Sequence, residues 1–236
     1  MPETRFDEWI AAHYATLWPE LFEPEVLVPA VDFLATLAGG GPCLEFGAGT
    51  GRVAVPLTGR GLPVTGIELS PAMAARMTGT GIDVVLGDFA TTRVPGSYAL
   101  VYLLRNTITN LTTEAEQSAA FRNAAAHLRP GGSFVVENYV PAPAARRAFT
   151  STPIHEGFEE YDEPARIATS HHRWQLDGEV YTFSSPHRYV WPSELDAMAA
   201  EAGLTLSERW ADWHRGPFTP GSPAHISVWT HSQTRA

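Results

Sequence analysis

Apolar and aromatic side chains recur every three or four residues near the amino end of the chain. The first such run covers residues 5–19, and a second covers residues 26–37 before three consecutive glycines. Spacings of three and four place these side chains on one face of a helix, and a glycine cluster is a typical helix stop. The pattern therefore predicts two amphipathic helices ahead of the rest of the fold.

From residue 42 onward, short apolar runs of strand length are separated by helix signals. The predicted strands cover residues 42–46, 62–67, 82–86, 99–104 and 133–137, then 205–210 and 225–230 after a helix over residues 192–202. A helical pattern begins at Val53, Ser70-Pro71 is a helix start, and Thr113-x-x-Glu116 is a capping box. At 236 residues, the chain is expected to form one α/β domain with additions.

The segment over residues 140–190 departs from this order. Composition changes at residues 141–145, and we predict residues 150–164 to be an irregular loop. Its acidic residues are Glu156, Glu159, Glu160, Asp162 and Glu163. Such a patch attracts a cationic substrate, although a solvated run of charges is the simpler interpretation.

Asp177-Gly178 lies between two β-type runs and predicts a two-residue hairpin. With these two residues in the turn, His172 faces Phe183 across the pair of strands. Side chains alternate along a strand, so these two rings share a face with Trp174. This aromatic face is either a lid over a substrate pocket or a sheet face packed on the domain.

Composition narrows the class of protein. The formal charge of −10 argues against a nucleic-acid partner, because a phosphate backbone requires a basic face. No signal peptide opens the sequence, and no apolar run approaches the ~20 residues that span a bilayer. We therefore expect no membrane partner and a cytoplasmic protein.

Cysteine and histidine usage points away from disulfides and metals. The single cysteine, Cys43, falls inside the first predicted strand and reads as a small buried hydrophobe. The histidines of the later segment, His155, His171, His172 and His187, do not have the spacing of zinc signatures. No metal site is predicted.

A glycine-rich turn follows the first predicted strand. Gly47, Gly49 and Gly51 allow a sharp turn and let a ligand lie against main-chain N–H groups. A dinucleotide fingerprint would require its third glycine where Arg52 stands. Glu45, just before the turn, can accept a hydrogen bond from an ammonium and would repel a pyrophosphate.

Residues 45–51 resemble motif I, E/D-x-G-x-G-x-G, of the class I S-adenosylmethionine-dependent methyltransferases. Glu68 at the end of the second strand resembles motif II, and Gly-Asp-Phe at residues 87–89 resembles motif III. The L-R-P-G-G turn at residues 128–132 is frequent in the same family. Agreement is continuous from residue 42 to about residue 139, and the chain is loosely similar to sugar-amine N-methyltransferases.

The resemblance implies a Rossmann-like, seven-stranded, mostly parallel sheet with helices on both faces and the final strand inserted antiparallel. An N-terminal helical cap and an inserted antiparallel β-hairpin complete the expected α/β fold. The single methyltransferase domain over residues 1–236 would divide into the cap (1–39), a cofactor-binding core (40–139), a substrate-side insertion (140–190) and the last helix and strands (191–236).

The implied cofactor is S-adenosylmethionine, with S-adenosylhomocysteine as product. Glu68 would accept hydrogen bonds from both ribose hydroxyls, and Asp88 would accept one from the adenine amino group. Phe89 would line the adenine slot. The full set of expected cofactor-binding residues is Glu45, Gly47, Ala48, Gly49, Gly51, Arg52, Glu68, Leu69, Met73, Gly87, Asp88, Phe89, Leu103 and Leu104.

Four residues are expected to line the methyl-transfer site. Tyr14 resembles a tyrosine in the leading helix of methyltransferases of small amines and sugars. Asn106 and Asn110 follow the fourth strand, at the sheet edge where ligands bind. His187 resembles the histidine of a histidine-arginine step in sugar-amine N-methyltransferases. Tyr14 or His187 is the candidate proton acceptor. The alternatives are a helix core residue, asparagines that satisfy their own loop, and a structural histidine.

The sequence thus predicts transfer of a methyl group to a nitrogen or oxygen of a small-molecule metabolite. Positioning alone can supply ~7–11 kcal/mol of such a barrier, and a neutral amine needs no general base. The absence of an N-P-P-Y tetrad argues against a nucleobase or amide acceptor. A non-catalytic cofactor-binding protein and a Rossmann-type NAD-dependent oxidoreductase remain alternatives. The sequence also leaves open whether two chains form a homodimer.

Overall fold

The computed structural model describes residues 6–231. The helices are α1 (Glu8–Leu17), α2 (Pro24–Ala38), α3 (Ala54–Gly59), α4 (Pro71–Ala75), α5 (Glu114–His127) and α6 (Pro192–Glu201), with 3-10 helices at Pro19–Phe22 and Thr107–Asn110. The strands are β1 (Cys43–Phe46), β2 (Val64–Glu68), β3 (Asp83–Leu86), β4 (Tyr98–Leu103), β5 (Leu128–Tyr139), β6 (Arg146–Ser151), β7 (His155–Asp162), β8 (Ile167–Leu176), β9 (Glu179–Arg188), β10 (Leu204–Trp210) and β11 (Ala224–His231).

Seven strands form the core sheet, in the order β10-β11-β5-β4-β1-β2-β3. Strands β1 to β5 pair in parallel, whereas β11 is antiparallel to both β5 and β10. Every residue of β1 and β4 is buried, as expected for the middle of a parallel sheet covered on both faces. The predicted seven-stranded sheet with an antiparallel final strand is confirmed.

Local signals set the helix starts. The Ser70 hydroxyl accepts a hydrogen bond from Met73 N–H and caps α4, with Pro71 at the first helical position. Thr113 and Glu116 form the predicted capping box at the start of α5. Separate apolar clusters fill the two faces of the core sheet, so the helices lie on both sides of it.

The prediction for residues 150–164 was wrong. Strands β6, β7, β8 and β9 form a second, antiparallel sheet in that order, which we call the lid sheet. The acidic residues belong mainly to β7 and pair with cations on neighbouring strands: Glu156 with Arg173, and Glu159 with Arg147. Cross-strand pairing of this kind stabilises a strand, and the cluster of like charges concealed it in the sequence.

The hairpin at Asp177-Gly178 is confirmed, since Leu176 pairs with Glu179 and His172 with Phe183. Its aromatic face packs on the rest of the domain and also lines a cavity. Trp174 is buried in a third apolar cluster with residues of α1, and the same face lines a cavity described below. The lid sheet and α1 therefore share an apolar core of their own.

One strand of the core sheet, β5, begins earlier than the sequence predicted. Strand β5 begins at Leu128 rather than near Ser133, because Leu128 pairs with Tyr98 before the register shifts between Tyr98 and Leu100. The L-R-P-G-G residues are thus part of the strand element, with Gly131 at a φ of 75°. Within residues 6–231, no helix has the length and apolar character needed to cross a membrane.

Candidate active site

The carboxyl end of β1 continues into the glycine turn. Gly47, Gly49 and Gly51 have φ angles of 65°, 60° and 82°, which residues with a side chain rarely adopt. A Cβ atom on Gly47 would also lie 2.9 Å from Thr107 Cγ2. The turn therefore requires glycine for its backbone conformation and, at Gly47, for space.

The carboxylate of Glu68 holds this turn from the end of β2. Its Oε2 accepts a hydrogen bond from Gly49 N–H at 2.7 Å, and its Oε1 accepts one from Ser70 N–H at 2.8 Å. Burial raises the pKa of Glu68, and the hydrogen bonds from Ser70 and Gly49 oppose that rise. Each carboxylate oxygen has a further lone pair with which it can accept from a ligand.

The loop after β3 carries Asp88 and Phe89. Asp88 Oδ1 accepts a hydrogen bond from Ala90 N–H at 2.8 Å, and the Phe89 ring stacks on Phe46 with centroids 5.7 Å apart. From α5, Asn123 Nδ2 donates to the Phe89 carbonyl oxygen at 2.7 Å. These contacts fix the loop in one position beside the glycine turn.

Together these segments enclose a cavity of about 340 Å³ at the carboxyl edge of the core sheet, which we call the edge cleft. Seven of the expected cofactor residues line it: Gly47, Gly49, Glu68, Leu69, Met73, Asp88 and Phe89. The rest of that set do not line it: Glu45, Ala48, Gly51, Arg52, Gly87, Leu103 and Leu104. Lining residues that the sequence did not indicate as cofactor contacts are Phe6, Thr107, Leu111, Thr112, Glu116, Ser185 and Pro186.

Glu45 lies beneath the glycine turn rather than at the cleft. It is 5% exposed, and its Oε2 accepts a hydrogen bond from the Tyr102 hydroxyl at 3.1 Å. Burial raises the pKa of Glu45 to about 8, an effect that nearby Arg52 opposes. Arg52 donates a hydrogen bond to the Leu21 carbonyl oxygen at 3.2 Å, which joins the turn to the N-terminal cap.

A larger cavity of about 690 Å³ lies among the core sheet edge, α1, the adjoining 3-10 helix and the inner face of the lid sheet. We call it the lid chamber. Its aromatic and imidazole lining includes Phe6, Tyr14, Trp18, Tyr139, Phe149, His155, His172, Trp174, Phe183 and His187. Its ionisable lining includes Glu20, Arg105, Arg147 and Glu159.

All four expected methyl-transfer residues line the lid chamber: Tyr14, Asn106, Asn110 and His187. Two of them, Tyr14 and Asn110, also line the edge cleft. The Asn110 side chain is exposed and has no hydrogen bond within the described part of the chain. It is therefore available to a ligand.

Asn106 has a structural contact that the sequence did not reveal. Its Oδ1 accepts a hydrogen bond from Tyr139 N–H at 2.8 Å, and its φ of 61° lies in the left-handed region. The side-chain oxygen thus ties the loop after β4 to β5, rather than to its own loop. The amide nitrogen is the part of Asn106 that remains for a ligand.

The protonation of Tyr14 limits its chemistry. Burial raises its pKa, so the phenol keeps its proton at neutral pH and acts as a hydrogen-bonding group rather than a base. His187 Nδ1 lies 3.4 Å from Thr109 Oγ1 in the adjoining 3-10 helix. Thr109 thus contacts the imidazole of His187 where the lid sheet meets the core.

The two cavities meet. Phe6, Tyr14, Thr107, Asn110 and Ser185 line both of them, and this group is called the junction below. Three chain segments contribute to it: the N-terminal cap, the 3-10 helix after β4, and β9. A ligand in either cavity would therefore reach the same few side chains.

The lid chamber contains a hydrogen-bonded pair of histidines, His155 and His172, that the sequence did not predict. His155 Nε2 and His172 Nδ1 are 2.9 Å apart, so one donates to the other. Burial, together with His155, lowers the pKa of His172 to about 4, and burial also lowers that of His155. Both rings are therefore neutral at pH 7. The hairpin pattern placed His172 on the inner face, but the loop assigned to residues 150–164 hid His155.

Comparison with known proteins agrees with this geometry. A family model for a methyltransferase domain matches residues 43–132, from β1 to the start of β5. No curated protein sequence matches the chain. Two of the solved structures that share its fold are sugar methyltransferases. S-adenosylmethionine-bound CalS10, an amino pentose methyltransferase from Micromonospora echinaspora, has 21% identity over 98% of this chain and 100% of that one, with a TM-score of 0.72. The sugar N-methyltransferase KedS8 from Streptoalloteichus sp has 20% identity over 90% and 91%, with a TM-score of 0.66.

The deciding similarity is to the CcbJ methyltransferase from Streptomyces caelestis, at 34% identity over 98% of this chain and 100% of that one, with a TM-score of 0.86. The chain belongs to the S-adenosylmethionine-dependent methyltransferase family. As a methyltransferase of this family it uses S-adenosylmethionine as methyl donor and leaves S-adenosylhomocysteine. Family membership favours this function over the oxidoreductase and non-catalytic alternatives.

Proposed function

We propose that this methyltransferase transfers the methyl group to an amine nitrogen of a small molecule held in the lid chamber. The observation that carries the proposal is the junction, where five residues line both cavities. A donor in the edge cleft and an acceptor in the lid chamber would meet there. Tyr14, Asn110 and the Asn106 amide would then orient the acceptor, and alignment of this kind is the main source of rate for an activated donor.

The residues of the edge cleft fit S-adenosylmethionine. Glu68 offers carboxylate lone pairs to ribose hydroxyls, Asp88 offers one oxygen to the adenine amino group, and Phe89 forms a wall of the adenine slot. The positive φ angles of Gly47 and Gly49 favour glycine, and because glycine has no side chain the main chain itself faces the cleft at these two positions. The cofactor, when bound, supplies a sulfonium methyl group that needs no further activation.

Chamber electrostatics support an amine rather than a phenol or carbon acid. Glu20 lines the chamber and forms no ion pair within the described residues, so its carboxylate can attract an amine, whereas Glu159 is already paired with Arg147. Tyr14 keeps its proton and His172 is a weak base, so neither is suited to deprotonating an acidic substrate. Of the similar proteins named above, KedS8 is a sugar N-methyltransferase and CalS10 is an amino pentose methyltransferase, which supports an amine-bearing acceptor. A hydroxyl acceptor is the second candidate, with His187 taking its proton.

We further propose that neither nucleic acid nor a membrane is a partner, and that the enzyme works in the cytoplasm on metabolites. The net charge of −10 supports the first part of this proposal.

The test is incubation of the protein with methyl-deuterated S-adenosylmethionine and a metabolite extract, followed by mass spectrometry. We expect a labelled product whose fragments place the methyl group on nitrogen. A label on oxygen would favour the second candidate. Binding of S-adenosylhomocysteine without any labelled product would contradict the proposal. The Gly49→Val variant serves as the control for background methylation.

A further inference from the structure

The inner face of the lid sheet changes character along its strands. Cross-strand pairing places Glu159, Ser170 and Ser185 in one row, the polar row. It places His155 beside Trp174 in another, the aromatic row. Glu159 and His155 are four positions apart along β7, which is about 13 Å at about 3.3 Å per residue. The inner face therefore changes from polar to aromatic over about 13 Å, a distance comparable to the length of a molecule with two ring systems.

The polar row leads to the junction, because Ser185 lines both cavities. The Glu159 side chain is 14% exposed, and its Oε2 accepts hydrogen bonds from Arg147 Nη2 at 2.9 Å and from the Tyr161 hydroxyl at 2.7 Å. A polar group that reacts at the junction would therefore lie against this row.

The aromatic row lies toward the hairpin end of the lid sheet, near the turn at Asp177-Gly178. His172, between the two rows, stacks on Trp174 with ring centroids 4.9 Å apart, and it hydrogen-bonds His155. Two large apolar side chains there are open to solvent: Phe149 is 43% exposed and Ile154 is 54% exposed. Exposed apolar groups that line a cavity are typical of a site for an apolar ligand.

Charge at this end argues against a phosphorylated ligand. His155 and His172 are neutral at pH 7, and Glu20 faces them from the neighbouring 3-10 helix. Of the two arginines that line the chamber, Arg147 is paired with Glu159 in the polar row, and Arg105 follows β4 of the core sheet. The aromatic end thus offers rings and neutral imidazoles, without a cation of its own.

We infer that the acceptor is a two-part molecule. An amine-bearing polar head occupies the polar row beside the junction, and an uncharged aromatic or apolar body occupies the aromatic row. This inference rests on the amine acceptor proposed above and adds the length and chemistry of the rest of the substrate. A free small amine or a single amino sugar fills only the first part of the chamber.

The test compares matched ligands by calorimetry on protein saturated with S-adenosylhomocysteine. The probes are D-glucosamine, its para-nitrophenyl glycoside, and uridine diphosphate glucosamine. We expect the aryl glycoside to bind at least about tenfold more tightly than the free sugar, because its ring is buried at the aromatic end. The diphosphate should bind no more tightly than the free sugar.

A double variant, Phe149→Ala with Ile154→Ala, should reduce the advantage of the aryl glycoside to about twofold or less. Both residues are exposed, so the fold should tolerate the change. Val180→Ala is the matched control, since Val180 is 51% exposed on the same sheet but does not line the chamber. Equal affinity for the two sugars, an advantage that survives the double variant, or tightest binding of the diphosphate would overturn the inference. Failure of all three probes to bind would also overturn the inference. The labelled-methyl experiment tests the amine acceptor independently of these ligands.

Discussion

The edge cleft and the lid chamber meet at the junction but are built in different ways. The cleft is formed by short segments at strand ends, where backbone N–H groups, glycines and one carboxylate hold each other in place. The chamber is formed by side chains of an inserted sheet and α1, which pack in a separate apolar cluster. With the donor in the cleft and the acceptor in the chamber, as proposed, donor recognition would depend on main-chain geometry and acceptor recognition on side-chain identity.

This difference has a consequence for substitutions. A change in the edge cleft alters backbone conformation or removes a shared carboxylate, so we expect large losses of cofactor affinity. A change in the lid chamber removes one contact among many and should affect the acceptor alone. Three predictions test this separation, beginning with the largest expected effect.

Gly49→Val should lower the affinity for S-adenosylhomocysteine by at least about 100-fold, measured by calorimetry. Valine at a φ of 60° is strained by about 1–3 kcal/mol, and its side chain would project at the cleft. A Cβ atom at this position would be 3.6 Å from Met73 Cε, so the methyl groups beyond it have little room.

Gly79→Val is the control for backbone strain. Gly79 has a φ of 81° and open space where its Cβ would be, and it does not line the edge cleft. This variant should lose thermal stability yet keep its affinity for S-adenosylhomocysteine. Equal binding by the Gly49 and Gly79 variants would show that the glycine turn does not hold the cofactor.

Glu68→Gln should weaken S-adenosylhomocysteine binding by about 10–100-fold, since hydrogen bonds to a charged group are each worth about 1.5–3 kcal/mol. Glu159→Gln is the matched change in the lid chamber. It should leave that affinity within about twofold and instead reduce methyl transfer. If the two variants lose cofactor affinity to the same degree, the proposed separation of the two cavities is wrong.

Tyr14→Phe addresses the junction, where the two cavities share residues. We expect kcat with the amine acceptor to fall about fivefold, the equivalent of one ordinary hydrogen bond, with cofactor affinity little changed. Burial raises the pKa of Tyr14, so the shape of the pH–rate profile should also be unchanged. Loss of a limb from that profile would instead identify Tyr14 as the base.

A separate prediction concerns the pH dependence of stability and Glu45. In the folded protein burial raises its pKa from 4.5 to about 8. Its contribution to stability is therefore complete below about pH 4.5 and is lost as the pH rises through about 8. Urea unfolding of the ligand-free protein should show a decline between pH 5.5 and pH 9 that is shallower in Glu45→Gln. If the unfolding free energy declines equally with pH in both proteins, a group other than Glu45 causes the decline.

The sequence was a good guide to the core sheet because its strands are short, apolar and followed by distinctive turns. The positions of Glu68, Asp88 and the glycines follow from strand ends, so half of the expected cofactor set lines the edge cleft. Glu45, Leu103 and Leu104 do not, because a residue inside a central strand points into the core as readily as toward an edge.

The lid sheet was only partly predictable. Its hairpin has a strong turn signal in Asp177-Gly178, whereas β7 carries five acidic residues on or near it and lacks a continuous apolar side. Cross-strand partners such as Arg147 and Arg173 stabilise that strand, and such partners are invisible until the strands are paired. The residues of the aromatic row that depend on β7, above all His155, were missed for the same reason.

The buried side chain of Gln117 is one of several contacts that join the lid sheet to the core, beside the ion pairs of Arg188 with Glu114 and of Arg166 with Glu194. Its Nε2 donates to the carbonyl oxygens of Ile108, Leu111 and Arg188, and its Oε1 accepts from the Arg188 guanidinium. The Gln117 amide on α5 therefore recognises the end of β9 specifically. A lid sheet transplanted from a relative would need an arginine at the end of its last strand and apolar side chains that fit α1, so these two contacts are the ones to match in a chimaera with an altered acceptor.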